Sequence, residues 1–253
     1  MNFNEQNAHP RDSFIQFEPE EHVYTVRGTR YQSVTNFLSG FFPQFDTEYW
    51  AQRKAAAEHC TPEELIERWK RKGQMAAELG TRLHHNIEQY LLGMPCETDG
   101  EAFPLFLKFR HDHPALMPFR TEWSIYDEEH RIAGTIDLLE KRDGQYRMYD
   151  WKRSSKLIGR RGEVIKECRF GQKAFTPIAH IDNTSYFHYA LQQSLYRYIL
   201  EKHYGITLQS SSLVVLHPTY DDYHLIELPY LRAEVCAMLR VRKEGLERES
   251  LKP

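Results

Sequence analysis

A chain of 253 residues, 41% hydrophobic and 27% charged, can bury one substantial core and has the composition of an ordinary globular protein. Its formal charge of −3 excludes a globally basic nucleic-acid protein, so contact with a polyanion must come from local basic patches. No apolar run approaches the roughly 20 residues of a membrane span, residues 1–6 do not read as a signal peptide, and Cys60, Cys96, Cys168 and Cys236 are too dispersed for a disulfide framework or a zinc ribbon.

Residues 1–20 are polar and predict no regular element. Residues 22–26 and Arg30-Tyr31, on either side of Arg27-Gly28-Thr29, predict a small hairpin. Ser33 or Thr35 caps a short helix that Gly40 ends, and Asp46 caps another through Tyr49, Trp50 and Arg53. Thr61 and Glu64 form a capping box with Pro62 at the first helical position. From there Leu65, Trp69, Met75, Leu79, Leu83, Ile87 and Leu91 recur at mostly three- and four-residue intervals up to Gly93, as one long amphipathic helix or two in tandem broken near Gly73. Gly80, His84 and Glu88 form a second stripe on that helix. A helix over 101–111 precedes a strand over 119–126, which pairs with 131–139 through the polar turn 127–130.

Asp143-Gly144 lies between two runs rich in aliphatic, β-branched and aromatic residues and predicts a two-residue hairpin turn. Counting outward, Arg142 faces Gln145, Glu140 faces Arg147 and Asp137 faces Asp150, with Lys152 on the same side of the sheet. Carboxylates this close repel unless a cation lies between them, and one or two Mg²⁺ or Mn²⁺ ions accept carboxylates, waters and phosphate oxygens as ligands. Lys152 is then placed to orient or deprotonate a water, or to steady charge on a phosphoryl transition state. The hairpin reads as a phosphodiesterase centre, with Glu122 as a marginal metal candidate. The alternative is a pair of solvated strand ends with Lys152 as their salt-bridge partner, and a bulge would separate the carboxylates.

Directly after this hairpin the chain is basic: Lys152, Arg153, Lys156, Arg160, Arg161, Lys166, Arg169 and Lys173 stand against Glu163 and Glu167. Such a loop suits phosphate contacts. The segment 159–166 lacks the Gly-Lys-Ser/Thr ending of a phosphate-binding loop, so no nucleotide-driven motor is encoded. Residues 182–185 cap a helix over 186–202 on which Gln192 and Tyr196 stand one turn apart, and Tyr186, Phe187 and Tyr189 offer rings either for core packing, the commoner use, or for stacking on unpaired bases. Strands at 212–217 and 222–228 and an amphipathic helix over 231–247 complete the chain.

Gly134-Thr135-Ile136-Asp137, a short hairpin and Asp150-Trp151-Lys152 resemble the PD-(D/E)XK nuclease core. With Gly80-x-x-x-His84 before it and Gln192-x-x-x-Tyr196 after it, the order is similar to the RecB-like exonuclease branch, which includes phage exonucleases and the mitochondrial genome maintenance exonuclease. The resemblance covers residues 31–228. It implies an α/β fold, a central mixed sheet flanked by helices, in one nuclease domain over 1–253, with the hairpin and helical part in 1–115 and the catalytic core in 116–253.

The resemblance also implies that His84 joins Asp137 and Asp150 as a metal ligand, with Glu122 and Glu88 at the margin. Gln192 and Tyr196 would hold the DNA strand and help position Lys152, alongside Arg153, Lys156, Arg160, Arg161 and Lys173 on the phosphates. The cysteine spacing of an iron–sulfur cluster is missing, so none is expected. The implied activity is a Mg²⁺- or Mn²⁺-dependent deoxyribonuclease acting from DNA ends, to which stacking on Tyr186, Phe187 and Tyr189 would add a preference for single strands or frayed ends. Rival expectations are a structure-specific endonuclease of the same fold and a catalytically silent nucleic-acid-binding module. Expected partners are DNA and a separate helicase or recombinase chain, with no membrane. The expected compartment is the cytoplasm, the host's for a phage protein in recombination or repair.

Overall fold

The computed structural model describes residues 2–98 and 100–251. The N-terminal stretch, predicted irregular, instead forms α1 (Phe3–Gln6), a 3-10 turn (Pro10–Phe14) and β1 (Ile15–Glu18). Long-range contacts hold it in place. Asn4 exchanges hydrogen bonds with the Thr121 main chain at 2.8 and 3.1 Å, and Asp12 accepts from the Arg120 guanidinium at 2.7 Å and the Trp123 indole at 2.8 Å.

The predicted hairpin follows as β2 (Val23–Val26) and β3 (Thr29–Ser33), turning through Arg27 and Gly28 at φ 49° and 79°. Ser33 caps α2 (Val34–Ser39) and Asp46 caps α3 (Thr47–Lys54), each accepting from a first-turn amide. The capping box of Thr61 and Glu64 opens α4 (Pro62–Leu91), one unbroken helix of 30 residues. Gly73 does not break it, because one glycine costs a helix only about 1 kcal/mol. Residues 71–78 are exposed on every face, so α4 crosses a stretch without core beneath it before Leu83 and Ile87 dock. After α5 (Phe103–Asp112) come the three strands of a meander, β4 (Pro118–Asp127), β5 (Ile132–Arg142) and β6 (Gln145–Lys152).

Asp143 and Gly144 adopt φ 54° and 73°, the left-handed pair of a type I′ turn, and the register runs Arg142 to Gln145 and Glu140 to Arg147 as counted from the sequence. Thr184 caps α6 (Ser185–His203); β7 (Leu208–Val215), β8 (His224–Glu227) and α7 (Arg232–Ser250) complete the fold.

The result is an α/β fold with a central mixed sheet flanked by helices: β3 runs parallel to β5 and β6 to β7, while the other pairs are antiparallel. Leu191, Leu195 and Ile199 of α6 and Val235 and Met238 of α7 form one core with Trp123, Ile136 and Leu139. Leu83 and Ile87 of α4 and three phenylalanines of α5 form another with Leu138, Trp151 and Val214. No described helix is long and apolar enough to cross a membrane.

One feature of the sheet places the site. β4 lines an edge of β5 from Ile132 to Glu140. The opposite edge is shared: β3 meets only Ile132 and Ala133, and β6 begins at Leu138. Among the described residues, 134–137 therefore have no strand beside them on that edge.

Candidate active site

The gap opens into a cavity of about 310 Å³. Gly134 and Asp137 enter it from β5, Asp150 and Lys152 from β6, His84 from α4 and Glu122 from β4. Gln192 and Tyr196 of α6 line it as well.

Asp137 sits where the β5–β6 ladder ends, one residue past the Leu138–Tyr149 pair, and there its Oδ2 accepts the Trp151 amide at 2.8 Å. The strands part by one rung, and a side chain takes the place of the missing main-chain acceptor. Trp151 also fixes His84: its carbonyl lies 2.8 Å from Nε2, and since a carbonyl only accepts, the proton belongs on Nε2. Nδ1 then faces Asp137 Oδ2 at 3.4 Å and Glu122 Oε1 at 3.7 Å. Either a second proton or a metal ion on Nδ1 reconciles a ring nitrogen with two carboxylates. Burial disfavours the imidazolium, but Asp137 and Glu122 outweigh it and push its pKa up to about 9.

Glu122 is held at φ 46°, in the left-handed region that a strand residue avoids, and the ladder passes over it between Thr121 and Trp123. Its Oε1 is buried with no hydrogen-bond partner among the described groups. The donor atoms of His84, Glu122 and Asp137 all lie within 4.8 Å of one another. One nitrogen and two carboxylates, one of them orphaned, fit a divalent cation.

Asp150 stands apart from that trio. Its Oδ2 lies 2.5 Å from Lys152 Nζ and its Oδ1 accepts from Gln193 Nε2 at 2.8 Å. Burial raises the Asp150 carboxyl to about 6 despite the lysine, and it raises Asp137 as well. Burial opposes the charge on Lys152, yet Asp150 and Asp137 prevail and raise its pKa, so it remains an ammonium.

Of the expected ligands, the structure brings His84 and Asp137 together with Glu122, the residue placed at the margin, while Asp150 faces Lys152. Glu88, half-buried one turn beyond His84, does not line the cavity. Gln192 donates to the Tyr196 hydroxyl at 3.1 Å, and the ring of Tyr196, 3% exposed, packs where a Cβ on Gly134 would be. The two motifs thus meet: the glycine of the core makes room for the tyrosine of α6.

The basic residues lie farther out, and among the described residues none of Arg153, Lys156, Arg160, Arg161 and Lys173 lines the cavity. Lys156, Arg160 and Arg161 are exposed, whereas Arg153 lies 3.8 Å from Glu101 and Lys173 lies 3.0 Å from Asp182. Of the rings read as either stacking or core, Tyr186 is 3% exposed and belongs to the core, while Tyr189 lies under Lys152, 4.9 Å from Nζ.

Gln193 was not legible as a site residue beside its motif neighbour Gln192. The signal was its place three residues from both Ala190 and Tyr196, within a buried stripe where an amide needs a partner.

The mixed sheet opens at a carboxylate–histidine cluster whose donor atoms could hold a metal ion. A model of the PD-(D/E)XK nuclease superfamily matches residues 42–218, more than half of the chain, and the chain belongs to that superfamily, whose nucleases use divalent metals. Among solved structures, a crystal structure of SSO0001 is 16% identical over 85% of this chain and 75% of its own, with a TM-score of 0.38. A putative exonuclease from Eubacterium rectale is 11% identical over 86% of this chain and 79% of its own, with a TM-score of 0.40. No curated protein matches the sequence significantly.

Proposed function

We propose that the protein is a metal-dependent DNA exonuclease that hydrolyses phosphodiester bonds from DNA ends and prefers single strands. The observation that carries this reading is His84 Nδ1 facing Asp137 and the orphaned oxygen of Glu122, beside the separate pair of Asp150 and Lys152. His84, Glu122 and Asp137 would hold a divalent cation, and the imidazole among them favours Mn²⁺ over Mg²⁺. A cation bound there would polarise the scissile phosphate and acidify a water.

Lys152, held as an ammonium, donates to a non-bridging phosphate oxygen and stabilises the charge that develops on it. It is not the base. Asp150, with its carboxyl raised to about 6, accepts the proton of the attacking water near neutral pH, and Gln193 keeps its carboxylate turned toward Lys152.

The test is cleavage of end-labelled single-stranded and duplex linear DNA beside closed circles, in Mn²⁺, Mg²⁺ or chelator, for wild type, Glu122→Gln and Lys152→Ala. Linear single strands should disappear in Mn²⁺ and survive chelation, circles should persist, and each substitution should slow cleavage by about 100-fold or more. Cut circles would make the protein an endonuclease. Binding without any cleavage would make it a silent nucleic-acid-binding module.

A further inference from the structure

The cavity has a wall that the chemistry above does not use. Phe17, Pro19, His22 and Tyr24, all on the β1–β2 hairpin, line the same space as Asp137 and Lys152. This hairpin precedes the residues that match the nuclease superfamily.

Its rings form one assembly. Phe17 stacks on Tyr24 with centroids 4.5 Å apart, and His22 stands edge-on to Phe17 at 5.2 Å. Tyr24 shares a hydrogen bond of 2.9 Å with Thr135, inside the gap of β5 and two residues from Asp137. The assembly is thus fastened to the catalytic strand. Tyr24 is buried, but Phe17 is only half-buried and Pro19 and His22 are exposed, so ring surface remains open toward the cavity.

Charge then decides what this wall can receive. Glu18, Glu20 and Glu21 surround the hairpin tip and are exposed. They repel phosphate at close range, which disfavours running the backbone on past the tip for a strand whose phosphate lies at the metal cluster. What it can place there is a base, and flat aromatic surface holds any base by stacking.

Resting on the nuclease reading above, we propose that the β1–β2 hairpin takes the terminal nucleobase of a single strand against Phe17 and His22, making the hairpin an end stop. The device selects for chain ends without reading sequence, because every base offers a stacking face.

The experiment uses the full chain and a single-stranded oligonucleotide carrying 2-aminopurine either at its terminal position or several nucleotides inward, with phosphorothioate linkages to slow hydrolysis. The variants are Phe17→Leu, which keeps apolar bulk on Tyr24, and His22→Gly, which suits the left-handed backbone at φ 52°. Wild type should quench the terminal probe and leave the inner one bright. Each variant, melting as wild type does, should lose the terminal quench and raise KM for unmodified strands about tenfold, with kcat within about twofold, as expected for one stacked base. Cleavage with quench and KM unchanged in both variants would overturn the end-stop proposal and leave the nuclease reading standing. A wild type that neither binds nor cuts the strand would overturn both.

Discussion

Replacing Gly134 by alanine should damage both the fold and the site through one contact. A Cβ at this position would lie 2.5 Å from Cε1 of Tyr196, 2.9 Å from its hydroxyl and 3.0 Å from Cζ. Carbon atoms settle at about 3.5–4.0 Å, so the ring must retreat by roughly 1 Å. Tyr196 is 3% exposed among Leu195, Ile199 and Trp123 of the same core, and close packing leaves little room for that movement. Overpacking of this kind costs roughly 1–3 kcal/mol, which for a chain of this size lowers Tm by about 2–4 °C per kcal/mol. Moving the ring also disturbs the Gln192–Tyr196 hydrogen bond at the cavity wall, so cleavage should fall with stability. Urea melts and rates on linear DNA would measure both effects. The decisive control is the same substitution in a Tyr196→Ala background, where the added methyl meets open space and should cost less than about 0.5 kcal/mol. A penalty of equal size in both backgrounds would refute the idea that Tyr196 is what requires a glycine at 134.

Three further outcomes follow from other contacts. Asp127 is buried and accepts from the Glu129 amide at 2.9 Å and His130 Nδ1 at 2.7 Å, with His203 Nε2 3.2 Å away. Burial disfavours its ionised form, but the two histidines win and hold the carboxyl well below its ordinary 3.8. A depressed folded-state pKa gives stability that is complete above the unfolded value and lost on acidification. Asp127→Ala should therefore be less stable by on the order of 3 kcal/mol at pH 7, with the difference shrinking in urea melts below about pH 4. Gln193→Leu removes an amide whose Oε1 is buried without a partner among the described residues, but it leaves the buried Asp150 Oδ1 without its donor, so stability should fall by about 1–3 kcal/mol, while an Asp150 freed from its hold cuts DNA roughly 10–100-fold more slowly. Finally, if exposed Lys156, Arg160 and Arg161 each neutralise a phosphate, their joint replacement by alanine should flatten the plot of log affinity against log salt for single strands by roughly 0.7 per residue. An unchanged slope would return them to a solvated loop.

The sequence was most legible where local chemistry decides the backbone. Asp143-Gly144 sets a type I′ turn, the turn sets the register, and the register carries Asp137 to the end of the ladder beside Trp151. Caps at Ser33, Asp46, Thr61 and Thr184 are equally local. What escaped detection depends on partners far along the chain. The N-terminal elements form because Asn4 and Asp12 dock on β4, more than a hundred residues away, and no periodicity in a polar stretch announces such docking. Glu122 looked marginal because strand alternation assumes extended backbone, and its left-handed φ breaks that rule. Of the two readings left open at Gly73, the single helix holds, because one glycine weighs little against the helix-forming residues around it. Tyr186 carries two readings in the sequence because a ring in a capped first turn reads the same whether it faces solvent or core.

The missing stretch of neighbour along β5 bears on solubility as well as on chemistry. An unpaired sheet edge is a template onto which a foreign chain can zip, and proteins usually guard such edges with length limits, charge or cover. Here the bare segment is only residues 134–137, recessed between β3 and β6, and it carries a glycine and a carboxylate. It is too short to nucleate a ladder and holds a charge that a paired strand would have to bury. The opening at the candidate site is thereby guarded against aggregation, and Asp137→Val would be expected to remove the charge while leaving the bare segment as short as before.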